Sequence, residues 1–185
     1  MSADRKRYEV QVAGLTRRLP IFEVAPGVRI AVLNILGDNE LVRAGARALL
    51  DQLSAVNYKL FVTPEAKSIP LAYELSRQSG KRYVVLRKQY RKYMGETISA
   101  ETVSITTGEP QTLHLDEKDR ALVKGERVVL VDDVVSTGST LKGMRQVMEK
   151  AQANISAEAA IFTEGDPSQW EDILALGHLP VFTDD

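Results

Sequence analysis

Residues 127–151, RVVLVDDVVSTGSTLKGMRQVMEKA, constrain the fold more than any other part of the chain. Val128 to Val131 form an apolar run without polar alternation, as in a strand buried on both faces. From about Ser139 to Ala151, the residues Leu141, Met144, Val147, Met148 and Ala151 fall on one side of a helix. A buried strand that passes directly into an amphipathic helix is the building unit of an α/β sheet.

The same rhythm recurs along the chain. Val28 to Leu33 and Tyr58 to Val62 read as strands, and between them DNELVRAGARALLDQLS places Leu41, Ala44, Ala48 and Leu49 on one helical face. Ser68 is expected to cap a helix with Pro70 in its first turn, running to about Arg77 and closed by Gly80. Tyr83 to Leu86 reads as the next strand. Glu101 to Thr106 and Gln111 to Leu115 then alternate with period two around TGEP, the pattern of a hairpin. After Arg127 to Val131 and its helix, a strand is expected near Ala159 to Phe162 and a helix over PSQWEDILALG. The fold class predicted is α/β, with a mainly parallel central sheet flanked by helices.

Composition excludes several classes. The 24 basic and 25 acidic side chains are well mixed and leave a net charge of −1, so no global field favours nucleic acid or an anionic membrane. The absence of cysteine rules out disulfides, thiolate metal sites and cysteine nucleophiles, and fits a cytoplasmic setting. The first residues, MSADRKRY, lack the apolar run of a signal peptide, and no segment approaches the roughly 18 apolar residues needed to cross a bilayer.

In a parallel sheet, ligands bind beyond the carboxyl ends of the strands, where DDVVSTGST is expected to lie. A helix amino terminus presents unpaired N–H groups, Gly138 permits close approach, and Ser136, Thr137, Ser139 and Thr140 add hydroxyl donors, which together make a phosphate cradle. No Walker pattern is present. Adjacent acids repel phosphate but accept well from sugar hydroxyls, so Asp132 and Asp133 suggest a ribose diol beside it. The bland alternative is a polar turn after a capped strand. A receiver domain, whose paired aspartates sit near its start, is excluded because too few residues follow Asp133 in a chain of 185.

The apolar run, two acids, two apolar residues and STGST resemble the phosphoribosyl pyrophosphate motif of type I phosphoribosyltransferases, nearest to the adenine and xanthine enzymes. That resemblance covers about residues 58–165. It implies a type I phosphoribosyltransferase fold with a small hood and a β-hairpin lid, in one domain spanning 1–185. The core would span about 36–165, and the hood about 8–35 plus the carboxyl-terminal segment.

Residue by residue, the resemblance gives Asp132 and Asp133 the ribose hydroxyls and Ser136 to Thr140 the 5-phosphate. Glu65, Ala66, Lys67 and Ser68, at another strand-to-helix turn, look like the pyrophosphate loop. Arg87 and Lys88 resemble the Arg-Lys pair of adenine phosphoribosyltransferases and would neutralise the departing pyrophosphate; Arg91 and Lys92 read equally well as solvated. VSITTG resembles the adenine-enzyme lid, with Thr106 where an acid is common. Ser136 replaces the aspartate usual before Thr-Gly in hypoxanthine-guanine enzymes. Phe22, Phe162 and Trp170 are stacking candidates that read first as core residues. His114 and His178 receive no chemistry.

The implied activity is transfer of ribose 5-phosphate from phosphoribosyl pyrophosphate to a purine, adenine favoured, in purine salvage. Magnesium would be bound through the substrate, with no dedicated protein ligand, and the protein would be a homodimer. The alternatives are a non-catalytic phosphoribosyl pyrophosphate sensor, and a transferase for xanthine or a non-purine base.

Overall fold

The structure, a computed structural model, describes residues 5–103 and 110–183. Thr106 and most of VSITTG therefore lie outside the described residues. At its centre is a five-stranded sheet built from β4 (Leu60–Pro64), β5 (Arg82–Leu86), β8 (Arg127–Val135), β9 (Asn154–Glu164) and β10 (Leu174–Leu179). The strand order is β10-β9-β8-β4-β5 and every pairing is parallel.

Period-two alternation divides the sheet between two cores. Phe61, Val129, Val131 and Ile161 face a cluster completed by Leu41, Leu49, Leu71 and Leu75, from helices α1 (Asn39–Gln52) and α2 (Ile69–Ser79). Leu60, Val62, Val128 and Leu130 face the other cluster, with Leu141, Met144, Val147 and Met148 from α4 (Ser139–Lys150). All five apolar positions read for α4 are buried. For α1 the buried face is Leu41, Val42, Gly45, Ala46 and Leu49, so the predicted Ala44 and Ala48 flank it rather than centre it.

The hairpin β6 (Ile98–Val103) and β7 (Pro110–Leu115) is antiparallel. Its stem is not an appendage: Ala100, Leu113 and Leu115 belong to the α4-side core. A short helix, α3 (Glu117–Val123), follows; the sequence reading has no element there, and seven residues are too few to display helical periodicity.

A separate antiparallel sheet has the order β1-β2-β3-β11, from β1 (Arg7–Val12), β2 (Leu15–Ala25), β3 (Val28–Ala31) and β11 (Val181–Thr183). Its Val12, Leu19 and Ala31 join the α1-side core. The strand expected over Val28 to Leu33 is thus shorter, and belongs to this sheet rather than to the parallel one.

Two expectations need correction. PSQWEDILALG is not a helix: Pro167–Trp170 make one 3₁₀ turn, and Leu174–Leu179 form β10 beside β9. Trp170, Ile173, Leu174 and Gly177 mimic helical spacing, but pairing satisfies the open edge of β9 and buries Leu179 completely. Gly177 is needed there, because a Cβ would stand 2.8 Å from the Phe162 ring. Second, β8 does not stop at Val131. It stays paired with β9 through Val135, so both acids lie within the strand rather than in the following loop.

Candidate active site

Three turns meet at the carboxyl ends of β4, β5 and β8. The turn after β8 opens on Gly138, whose φ of +72° is accessible without strain only to glycine. The Gly138 carbonyl accepts from the Lys142 N–H at 2.8 Å, which starts α4. The Thr137 and Ser139 hydroxyls are 3.0 Å apart and bonded to each other. Ser136 to Thr140 line a cavity of about 220 Å³ together with Gln111 and Asp132. First-turn N–H groups, hydroxyls and the positive end of a helix dipole make that hollow a receptor for an anion.

Asp132 and Asp133 are both buried, and the Asp133 N–H donates to Asp132 Oδ1 at 2.9 Å. Burial raises the pKa of Asp132 well above the carboxylate range, and the neighbouring Asp133 charge raises it further. The Ser68 hydroxyl, which donates to the Pro64 carbonyl at 3.1 Å, lies close enough to Asp132 to oppose part of that rise. Ser68 precedes α2 but does not cap it through its side chain, contrary to expectation; its hydroxyl turns back to the end of β4 instead.

Glu65 joins the second turn to the third. Its N–H donates to the Leu86 carbonyl at 2.9 Å, and its carboxylate accepts from the Lys88 N–H at 3.0 Å. Arg87 Nε stands 3.2 Å from the same carboxylate as an ion pair, but is not aligned for a hydrogen bond. The Lys88 N–H, and then Arg87, hold the Glu65 pKa below its ordinary value. The Glu65–Ala66 peptide is cis. Ala66, Lys67 and Lys88 are exposed. Arg87 also exchanges backbone hydrogen bonds with His114 of β7, both at 2.8 Å, so the hairpin is tied to this turn.

Other residues fall elsewhere. Phe162 is fully buried core. Phe22 is exposed, with the Arg5 guanidinium 3.9 Å above its ring, and lines a separate hollow of about 360 Å³ with Leu33 and Asn34. Arg91 and Lys92 are exposed. A hollow of about 490 Å³ beside Lys59, Lys81 and Arg82 opens at the amino ends of β4 and β5, away from the acids.

Trp170 lies against the cradle: a Cβ on Gly138 would meet its ring at 2.8 Å, and its indole N–H donates to the Glu164 carbonyl at 2.9 Å. His178, given no partner by sequence, has two. Its Nε2–H donates to the Gly165 carbonyl at 3.0 Å, and Nδ1 is 2.9 Å from the Thr163 hydroxyl. These contacts exist because β10 lies parallel to β9, a pairing that the helical reading of PSQWEDILALG concealed. Gln111 was missed as well; it carries no sequence signal beyond its place in the alternating hairpin.

Comparison with known proteins follows the same lines. Residues 33–176 match the family model described as the phosphoribosyl transferase domain. Adenine phosphoribosyltransferase of Thermosipho africanus is 32% identical over 148 residues, covering 77% of this chain and 84% of that protein. Hypoxanthine/guanine phosphoribosyltransferase of Methanotorris igneus is 32% identical over 127 residues, covering 69% of this chain and 66% of that protein, slightly under two thirds of its length. The crystal structure of adenine phosphoribosyltransferase from Thermoanaerobacter pseudethanolicus superposes with a TM-score of 0.66 at 20% identity, covering 94% of this chain and 95% of that one. The fold is shared across that whole length.

Proposed function

The chain belongs to the phosphoribosyl transferase domain family, and from that premise we propose that it transfers ribose 5-phosphate from phosphoribosyl pyrophosphate to a purine base, releasing pyrophosphate. The observation that carries this reading is the buried acid pair running directly into the hydroxyl-lined cradle at the amino end of α4.

In this reading, Ser136, Thr137, Gly138, Ser139 and Thr140 hold the 5-phosphate through hydroxyls and first-turn N–H groups. Asp132 and Asp133 accept from the ribose hydroxyls. Those hydroxyls donate hydrogen bonds to acids whose charge burial makes costly, so ligand binding offsets part of that cost. Glu65, Ala66, Lys67 and Ser68 take the pyrophosphate, with Glu65 fixing the Arg87–Lys88 turn beside it. As the bond from ribose carbon to pyrophosphate breaks, negative charge accumulates on the leaving group, and Arg87 and Lys88 stabilise it. The chain otherwise positions the incoming base nitrogen on the opposite side of that carbon and excludes water.

Magnesium entering with phosphoribosyl pyrophosphate would supply positive charge against that of the leaving group. The all-oxygen acid pair suits such a hard cation, and among the described residues there is no cluster of three or more potential metal ligands to hold one independently of substrate. We read residues 1–185 as one domain, with a core at about 36–165 and a hood from 8–35 plus the carboxyl-terminal segment. We further read the protein as a cytoplasmic homodimer working in purine salvage. Adenine is the favoured base. The Thermosipho adenine relative is matched over more of its length than the methanogen one, and Ser136 occupies the place of an acid expected for 6-oxopurines.

The test is pyrophosphate release from the purified protein with magnesium and phosphoribosyl pyrophosphate, against adenine, guanine, hypoxanthine, xanthine, uracil and orotate separately. Release with adenine, together with its nucleotide, is the expected result. Release with another base instead would reassign the substrate. Binding of phosphoribosyl pyrophosphate without release for any base would replace the enzyme with a sensor.

A further inference from the structure

The hairpin stem contributes a side chain to the cradle that no part of the motif supplies. Gln111, the second residue of β7, lines the 220 Å³ cavity beside Asp132 and Ser136 to Thr140. Its side-chain nitrogen Nε2 is shielded from solvent and has no hydrogen-bond partner. Native structures seldom leave a buried donor unpaired, and an orphan on a side chain that lines a cavity points to a missing acceptor within reach of that side chain. The surrounding turn offers mainly donors: hydroxyls, first-turn N–H groups and the dipole of α4. The acceptor in the cavity, Asp132, takes the Asp133 N–H and not the Gln111 amide. A group that satisfies all these donors together is an acceptor-rich anion.

The hairpin holds Gln111 in register with the cradle. Gln111 lies opposite Thr102 in the β6–β7 ladder, and the Thr102 hydroxyl donates to the Gln111 carbonyl at 3.4 Å. Behind them, Gly143 of α4 is packed so closely that a Cβ would meet Leu113 at 3.2 Å and Thr102 at 3.3 Å. The stem therefore rests directly on the helix whose amino terminus forms the cradle. The Arg87–His114 bridge fixes the same strand, three residues further on, to the proposed pyrophosphate side.

We propose that Gln111 is a substrate-contacting residue, whose side-chain amide donates to an oxygen of the 5-phosphate and so ties the hairpin stem to occupancy of the cradle. This rests on the ribose-phosphate reading of that cavity. A neutral donor from the hairpin is also consistent with a turn that contains no lysine.

The experiment is calorimetric titration of wild type, Gln111→Ala and Gln111→Glu with ribose 5-phosphate and, separately, with phosphoribosyl pyrophosphate and magnesium, beside a thermal melt of each unliganded protein. A hydrogen bond to a charged group predicts a loss of about 10- to 100-fold in Gln111→Ala. The factor should be similar for both ligands, because both carry the 5-phosphate, and Gln111→Glu should lose more by repulsion. The unliganded Gln111→Ala protein should melt no lower than wild type, since the amide lost had no partner; a lower melting point with unchanged affinity would make the residue structural and overturn the proposal. Loss for phosphoribosyl pyrophosphate alone would move the contact to the pyrophosphate and also overturn it. Wild type that binds both ligands while Gln111→Ala binds them equally well removes Gln111 and leaves the cradle reading intact. Wild type that binds neither removes the cradle reading and the Gln111 contact with it.

Discussion

Asp132→Asn should make the unliganded protein more stable while weakening its hold on phosphoribosyl pyrophosphate. Asp132 is buried, next to a second buried acid, and its pKa is raised by burial first and by the Asp133 charge second. In the unfolded chain the same carboxyl ionises near its ordinary value of 3.8. Between that pH and the raised folded value, the unfolded state binds fewer protons than the native one, so stability falls as pH rises. Asparagine retains Oδ1 to accept the Asp133 N–H and removes the charge. Neutralising a buried charge without an opposite partner is worth ~1–3 kcal/mol at pH 8. For a chain of this length, that corresponds to a rise in melting temperature of about 3–10 °C. At pH 4 the difference should shrink towards zero, because the native carboxyl is then protonated. Calorimetric affinity for phosphoribosyl pyrophosphate should fall by about tenfold or more, as the ribose hydroxyls lose a carboxyl acceptor oxygen. Scanning calorimetry across pH 4–8, with binding titrations at pH 7.5, measures both effects. A variant that melts below wild type at pH 8, or that gains equally at pH 4, would refute the linkage between burial, charge and ligand.

Two further perturbations probe the frame around the site. Gly138→Ala places a Cβ 2.8 Å from the Trp170 ring at a φ of +72°, so it should destabilise by ~1–3 kcal/mol and weaken ribose 5-phosphate binding; wild-type melting and affinity would show that the turn tolerates a side chain. Arg77, paired to Glu74 at 2.7 Å, lowers the Glu74 pKa to about 2. Its contribution is therefore present above the ordinary carboxyl value of 4.5 and lost as pH falls towards 2, so Glu74→Gln should lower the melting temperature at pH 7 but not at pH 2, whereas equal shifts at both would exclude this ion pair as the cause.

The legible parts of the molecule share one property, which is that neighbours in sequence dictate them. Val128–Val131 declared a buried strand, the spacing of Leu141, Met144, Val147 and Met148 declared α4, and Gly80 closed α2 in a left-handed conformation. The cradle was legible because its turn, glycine and hydroxyls are contiguous. Misreadings arose where a distant partner decided. Residues 167–177 carry spacing compatible with a helix, but the free edge of β9 and the Phe162 ring against Gly177 make Leu174–Leu179 a strand. In the hairpin, alternation shows the two strands but not that Leu113 and Leu115 of its stem are core residues, a fact set by α4 across the packing interface.

By itself, then, the sequence determined the α/β class, the helix that follows β8 and the acid-and-hydroxyl motif between them, because hydrophobic period, glycine conformation and helix-end chemistry act over a few residues. Tertiary structure alone decided that Ser68 lies beside Asp132, that Glu65 holds the Arg87–Lys88 turn, that Trp170 rests on Gly138, and that Gln111, with an unpaired amide nitrogen, joins the lining of the cradle. Each of those contacts joins segments far apart in the chain. Their geometry follows from how sheet, helices and hairpin pack, and not from any local preference of the residues that meet.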